Sequence, residues 1–280
     1  MNLKKLLLLS FLFIVFGMSA QEVDLTVKPV AKKKYDLKLS SQTAVTQSVA
    51  ETEIKVNVTY SAKALMEIEE INSNGEFTTI TTWNDVEVST SAMGIDTTFQ
   101  AKDMNIVMKT LYDKSGKIIK NERMDEVSSD VPALKIIQQI ANNVKFPLLP
   151  AKTVKKGDVW RFETSDTIKT MEFPLAMVID TKDEYSFAGT VTENGGEYYR
   201  INKSSPIDIS GEGAQGGMDI HAEGTGMSES YSLLDKTTLF PVKIEDKSGM
   251  DMNIIISGPQ PMAIPATQNV TTIFEFTEIK

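Results

Sequence analysis

The 280-residue chain is expected to be mainly β: antiparallel sheets or half-barrels in two related halves, with one amphipathic helix between them. Three observations carry that expectation. Apolar and polar residues alternate over most of the length, glycine-containing dipeptides punctuate the alternation, and five segments of the first half recur in order in the second.

Alternation with period two marks a half-buried strand, because successive side chains point to opposite faces. Tyr35, Leu37 and Leu39 begin it, and Ile54, Val56, Val58 and Tyr60 run in phase through Ala62, Ala64, Met66 and Ile68. The pattern returns at Met104, Ile106 and Met108, and from Met171 to Ile179. It returns again at Met218, Ile220 and Ala222, at Met250, Met252, Ile254 and Ile256, and from Val270 to Phe276. Asn74-Gly75, Ser115-Gly116, Asn194-Gly195 and Ser248-Gly249 tolerate positive φ and are expected to close hairpins. One stretch has helical spacing instead, with Leu134, Ile137, Ala141 and Val144 on one side and Ile140 beside them. Asp130 suits its N-cap, Pro132 its first turn, and the run Phe146-Pro147-Leu148-Leu149-Pro150 ends it.

The recurring segments pair Tyr35 with Trp160, Tyr60 with Tyr185, Asn74-Gly75 with Asn194-Gly195, Val86 with Ile207, and Leu111-Tyr112-Asp113-Lys114 with Leu233-Leu234-Asp235-Lys236. They suggest duplication of a β unit rather than a solenoid, whose period is shorter. The expected organisation is a signal peptide over 1–20, a first β-rich half over 21–128, a linking helix and proline-rich turn over 129–150, and a second half over 151–280.

Lys4 and Lys5, the apolar run Leu6 to Phe16 and the small residues to Ala20 have the three parts of a secretory signal, with cleavage expected before Gln21. The apolar run is shorter than the roughly 20 residues a spanning helix needs. The mature chain is therefore expected in the periplasm or outside the cell, without stable membrane insertion. The sequence has no cysteine, which removes disulfides, thiol catalysis and thiolate metal sites. Its 29 Lys+Arg stand against 38 Asp+Glu, a net charge of −9 that disfavours nucleic acid as a partner.

The lysine-rich lead into an aromatic strand at Lys32–Tyr35, the segment PLLPAKTVKKGDVW (Pro147 to Trp160) and the segment LLDKTTLFPVK (Leu233 to Lys243) resemble a family of exported bacterial β proteins of unknown function. More distantly the layout resembles lipoprotein-carrier half-barrels, in which a curved antiparallel sheet closes over an apolar cavity. The first resemblance transfers no catalytic residue. The second implies a cavity for an apolar ligand.

No catalytic, cofactor or metal motif stands out. His221 is the sole histidine and shares a strand face with Asp219 and Glu223. Positions four apart on a strand are separated by about 13 Å, too far for one ion held by bonds of about 2 Å. A solvated polar face accounts for that row. The glycine-rich run Gly211 to Gly217 is acidic and leads into no helix, so it is read as a hairpin connection rather than a phosphate loop. Of 14 methionines, Met104 and Met108 share one strand face, as do Met250 and Met252. They are expected, with Leu134, Ile137 and Ile140, to line a cavity holding a small apolar or lipid-like ligand. The alternative is an envelope structural protein that presents its sheet to a protein partner.

Overall fold

The computed structural model describes residues 22–49, 52–102, 105–125, 144–169, 175–215, 217–258 and 261–280. Its strands are β1 (Val23–Asp24), β2 (Lys34–Val49), β3 (Thr52–Ile71), β4 (Phe77–Ala92), β5 (Ile95–Ala101), β6 (Ile106–Tyr112), β7 (Ile118–Arg123), β8 (Thr153–Val154), β9 (Val159–Lys169), β10 (Leu175–Glu193), β11 (Gly196–Gln215), β12 (Met218–Asp235), β13 (Pro241–Ile256) and β14 (Met262–Ile279). The protein is all β, and its ladders are antiparallel. No helix occurs among the described residues. The helix expected around Leu134, Ile137 and Ile140 lies outside them, while Val144, at its expected end, is buried in irregular chain.

Twelve strands form one sheet in the order β7-β6-β4-β3-β2-β14-β13-β12-β11-β10-β9, with β5 added beside β4. Each half is an up-and-down meander, β2-β3-β4-β6-β7 and β9-β10-β11-β12-β13-β14, and β14 joins them by pairing with β2. The segments matched in the sequence fall on β2 and β9, β3 and β10, β4 and β11, and β6 and β12. Local geometry repeats with them. Lys32 (φ 66°) and Gly157 (φ 93°) turn the chain into β2 and β9. Lys32 N–H donates to Ile68 O at 2.6 Å, and Gly157 N–H donates to Phe187 O at 2.8 Å. Asp113 and Asp235 each accept backbone N–H bonds in the turns that follow β6 and β12.

The core lies on one face of this sheet, here called the inner face, and is completed by two irregular straps. The first precedes β2 and buries Leu25 and Val27; the second precedes β9 and buries Phe146, Leu149 and Val154. The straps pair with each other as the short ladder β1–β8, Val23 opposite Val154. They also cross over. Lys28 N–H, in the first strap, donates to Thr238 O in the second half, and Leu149 N–H, in the second, donates to Ser115 O in the first half. Phe146 stacks on Tyr112 at 4.7 Å and meets Phe240 edge-on at 5.0 Å, so one side chain joins the aromatic clusters of both halves. Gly116 holds a left-handed conformation (φ +87°) that favours glycine, and a Cβ there would come 3.1 Å from Pro147 O, where the second strap passes close over it.

Two turn assignments change. Ser248-Gly249 closes no hairpin: both residues lie inside β13, paired with β12 and β14. Alternation continues through them in both directions, and the cross-strand ladders override a local turn preference. Gly211 and Gly213 belong to β11, and the connection is confined to the residues around Gly217 (φ +79°).

Candidate binding face

Twenty residues of strand at about 3.3 Å each make β3 and β11 roughly 65 Å long, far more than two short straps can cover. The inner face is therefore divided by height. Near the straps it is a filled core of Trp83, Phe77, Tyr112, Leu37, Met66 and their neighbours. At the other end, rows of apolar side chains run across β13, β12, β11 and β10: Met252, Gly224, Ile209 and Ile179 in one, Ile254, Ala222, Gly211 and Met177 in the next. Leu175, Ile220 and Ala222 form a small buried cluster there, while Met177, Ile179, Met250, Met252 and Ile254 remain half-buried. Three inner-face glycines make room for the methionines at this end. A Cβ on Gly224 would lie 2.8 Å from the Met252 side chain, one on Gly226 2.7 Å from Met250, and one on Gly211 3.1 Å from Met177. The methionines thus lie over bare backbone and, being half-buried, present the apolar surface of a shallow trough.

Between core and trough runs a belt of polar side chains on the same face. Ser228 faces Ser205 and Ser248 directly, and Asp246, Ser230, Lys203 and Tyr185 form the adjacent row. The Ser205 hydroxyl donates to Asp183 at 2.5 Å, the Tyr185 phenol donates to it at 3.3 Å, and Lys203 Nζ stands 3.5 Å away. The Ser228 hydroxyl donates to Asp246 Oδ2 at 2.8 Å, and Ser41 bonds Thr272 at 2.9 Å across the junction of the halves. Asp183 is buried at 5% exposure, which its three partners make tolerable. Burial pushes the Tyr185 phenol far above its ordinary value, and the charge of Asp183 adds to the shift.

The outer face is charged. Arg161 pairs with Glu184, Lys63 with Asp85 at 3.9 Å, and Lys243 with Glu193 at 3.1 Å. Arg200 stacks 4.3 Å over the Tyr231 ring. Two open grooves of about 500 and 510 Å³ lie on this face, one along β2, β3 and β4 between Lys38 and Glu87, the other along β10 to β13 between Glu184 and Lys247. His221 is exposed here beside Glu223 at 3.9 Å, and no group of three metal-ligating side chains occurs among the described residues.

The sequence-based cavity lining is thus dispersed. Met108 is buried in the filled core on β6, five strand positions from β13, which places it roughly 24 Å along the sheet from Met250 and Met252. Met250 and Met252 do share one face and form the trough. Met104, Leu134, Ile137 and Ile140 lie outside the described residues. None of Met108, Met250 and Met252 borders either outer groove. Alternation alone did not single out Asp183, Lys203 or Asp246. Their signal is a charged residue in phase with an apolar run: Asp183 follows Met177 and Ile179, Lys203 follows Ile201, and Asp246 falls between Ile244 and Met250.

No protein family and no curated protein matches the chain by sequence. Solved structures similar to it include an outer membrane channel from Pseudomonas putida F1, at 7% identity and TM-score 0.23, covering 88% of this chain and 97% of that one. Pseudomonas aeruginosa OpdQ is similar at 7% identity and TM-score 0.25, covering 90% and 100%, and the translocator domain of the autotransporter NalP from Neisseria meningitidis at 8% and 0.21, covering 89% and 90%. Scores this low carry no argument about fold or function.

Proposed function

We propose that the protein is an exported binding protein, periplasmic or secreted, whose open inner face holds an apolar, lipid-like molecule. The observation that supports this most is the trough: an apolar surface on the inner face to which Met177, Ile179, Met250, Met252 and Ile254, each only half-buried, contribute. Apolar surface left accessible beside a solid core is characteristic of a ligand site, and methionine walls adapt to varied chains. The outer face favours water over lipid as its surroundings, because each Lys or Arg facing a bilayer midplane costs about 2–4 kcal/mol and Lys38, Lys63, Arg161 and Lys247 all lie on it.

The experiment is expression with the leader in a Gram-negative host, followed by native mass spectrometry of the periplasmic protein and displacement of a fluorescent fatty-acid analogue. A mature chain starting at Gln21 or its neighbour, with copurified lipid and saturable probe binding, is the expected result. Absence of both lipid and probe binding would end this reading. A second reading, an envelope protein that adds a partner's strand to its sheet, is favoured by β7 and β9, whose outer edges are unpaired among the described residues.

A further inference from the structure

The polar belt and the trough meet end to end, and that juxtaposition specifies more than an apolar ligand. Lys203 and Asp183 neutralise each other, and Asp183 is further satisfied by Ser205 and Tyr185. Asp246 is different. It is half-buried on the inner face, accepts from the Ser228 hydroxyl alone, and has no cationic partner among the described residues. Its immediate row neighbours, Ser230 and Thr272, are neutral, and Lys203, one strand beyond Ser230 in the same row, pairs with Asp183. A carboxylate withdrawn from water is costly until a cation or several donors meet it. Four residues along β13, at about 3.3 Å per residue, Met250 begins the apolar row that continues through Met252 and Ile254, so the carboxylate stands at one end of that apolar surface.

We propose that the trough binds a single-chain amphiphile with a cationic head, its ammonium at Asp246 and the surrounding serines and its unbranched chain lying along the half-buried Met250 and Met252 side chains that cover Gly226 and Gly224. The inference rests on the carrier reading above and adds to it the charge of the head and the direction of the chain. The glycines leave the room that the methionines fill, since side chains at those positions would collide with Met250 and Met252. The exposed Met218 and Met262, at the far end of β12 and β14, then mark the rim by which the chain's tail end enters.

The test compares dodecylammonium with dodecanoate, each below its critical micelle concentration, by titration calorimetry at pH 7 on delipidated mature protein. The ammonium compound is expected to bind about tenfold tighter, the discrimination one charge-assisted contact supplies. Asp246→Asn should bring the two within about threefold of each other by removing that contact, and Asp246→Glu should restore most of the preference. Met252→Glu should weaken both, with the far-ultraviolet dichroism unchanged. Equal or tighter binding of dodecanoate, or a preference that survives Asp246→Asn, overturns the assignment of the head while leaving the carrier reading intact. Failure of both compounds, together with no copurified lipid, overturns both.

Discussion

Asp235 shows how one side chain fixes a turn. Its Oδ1 accepts from Thr237 N–H at 3.0 Å, Thr238 N–H at 2.8 Å and the Thr238 hydroxyl at 2.9 Å. Partial burial pushes its pKa upward, but the Thr238 and Thr237 bonds, aided by Lys33, outweigh burial and hold the carboxyl below its ordinary value. A depressed carboxylate contributes stability that is present above the ordinary carboxylate range and is lost as pH falls through it. Asp235→Ala is therefore expected to cost about 2 kcal/mol at pH 7, the scale of hydrogen bonds to a charged group. The difference should shrink when urea unfolding is repeated near pH 3. An equal loss at both values would mean that the turn depends on packing rather than on the charge. Gly116 and Leu239 hold left-handed conformations (φ +87° and +56°) in the corresponding turns of the two halves. Backbone geometry is thus conserved between the halves where residue type is not.

Among the elements, the second strap carries more of the core than its irregular backbone suggests. Phe146, Leu149 and Val154 are almost fully buried, and Trp160 Nε1–H donates to Leu148 O at 2.7 Å, anchoring the strap to β9. Phe146→Ala would remove contacts with Tyr112, Phe240 and Phe276 together. Large-to-small changes of buried aromatics cost about 3–5 kcal/mol, so a drop of that size in the urea-unfolding free energy is expected. A loss under 1 kcal/mol would show that the strap's ring packs loosely. The long strands explain why the strap matters locally but not at the far end: it closes only the part of the inner face it touches.

Across the whole molecule the two meanders share one sheet and one core. The β14–β2 ladder runs from Ala266↔Gln47 to Ile279↔Lys34, and the principal buried cluster contains Tyr112 and Trp83 from one half with Phe187 and Tyr199 from the other. The crossed straps tie each half to a turn in its counterpart. Fragments 21–128 and 129–280 are consequently expected to lack stable structure when expressed apart and to recover strand dichroism and a cooperative transition when mixed. A cooperative thermal transition in either fragment alone would show that the halves are independent units.

Sequence by itself determined the all-β class, the faces of most strands and the true hairpins at Asn74-Gly75, Ser115-Gly116 and Asn194-Gly195, because alternation and positive φ are properties of neighbours in the chain. It also set out the order of matched segments that fall on corresponding strands. Tertiary structure alone decided that β14 lies beside β2, more than two hundred residues away in sequence, and that Ser248-Gly249 is ladder rather than turn. It also separated the methionines: Met108 and Met250 carry the same local pattern, but one is buried in the principal core and the other stays half-buried at the far end of the inner face. The belt of Asp183, Lys203 and Asp246 became visible for the same reason. These residues are on three different strands, and only the register that sets Ser205 opposite Ser228 and Ser228 opposite Ser248 brings them to one height on one face.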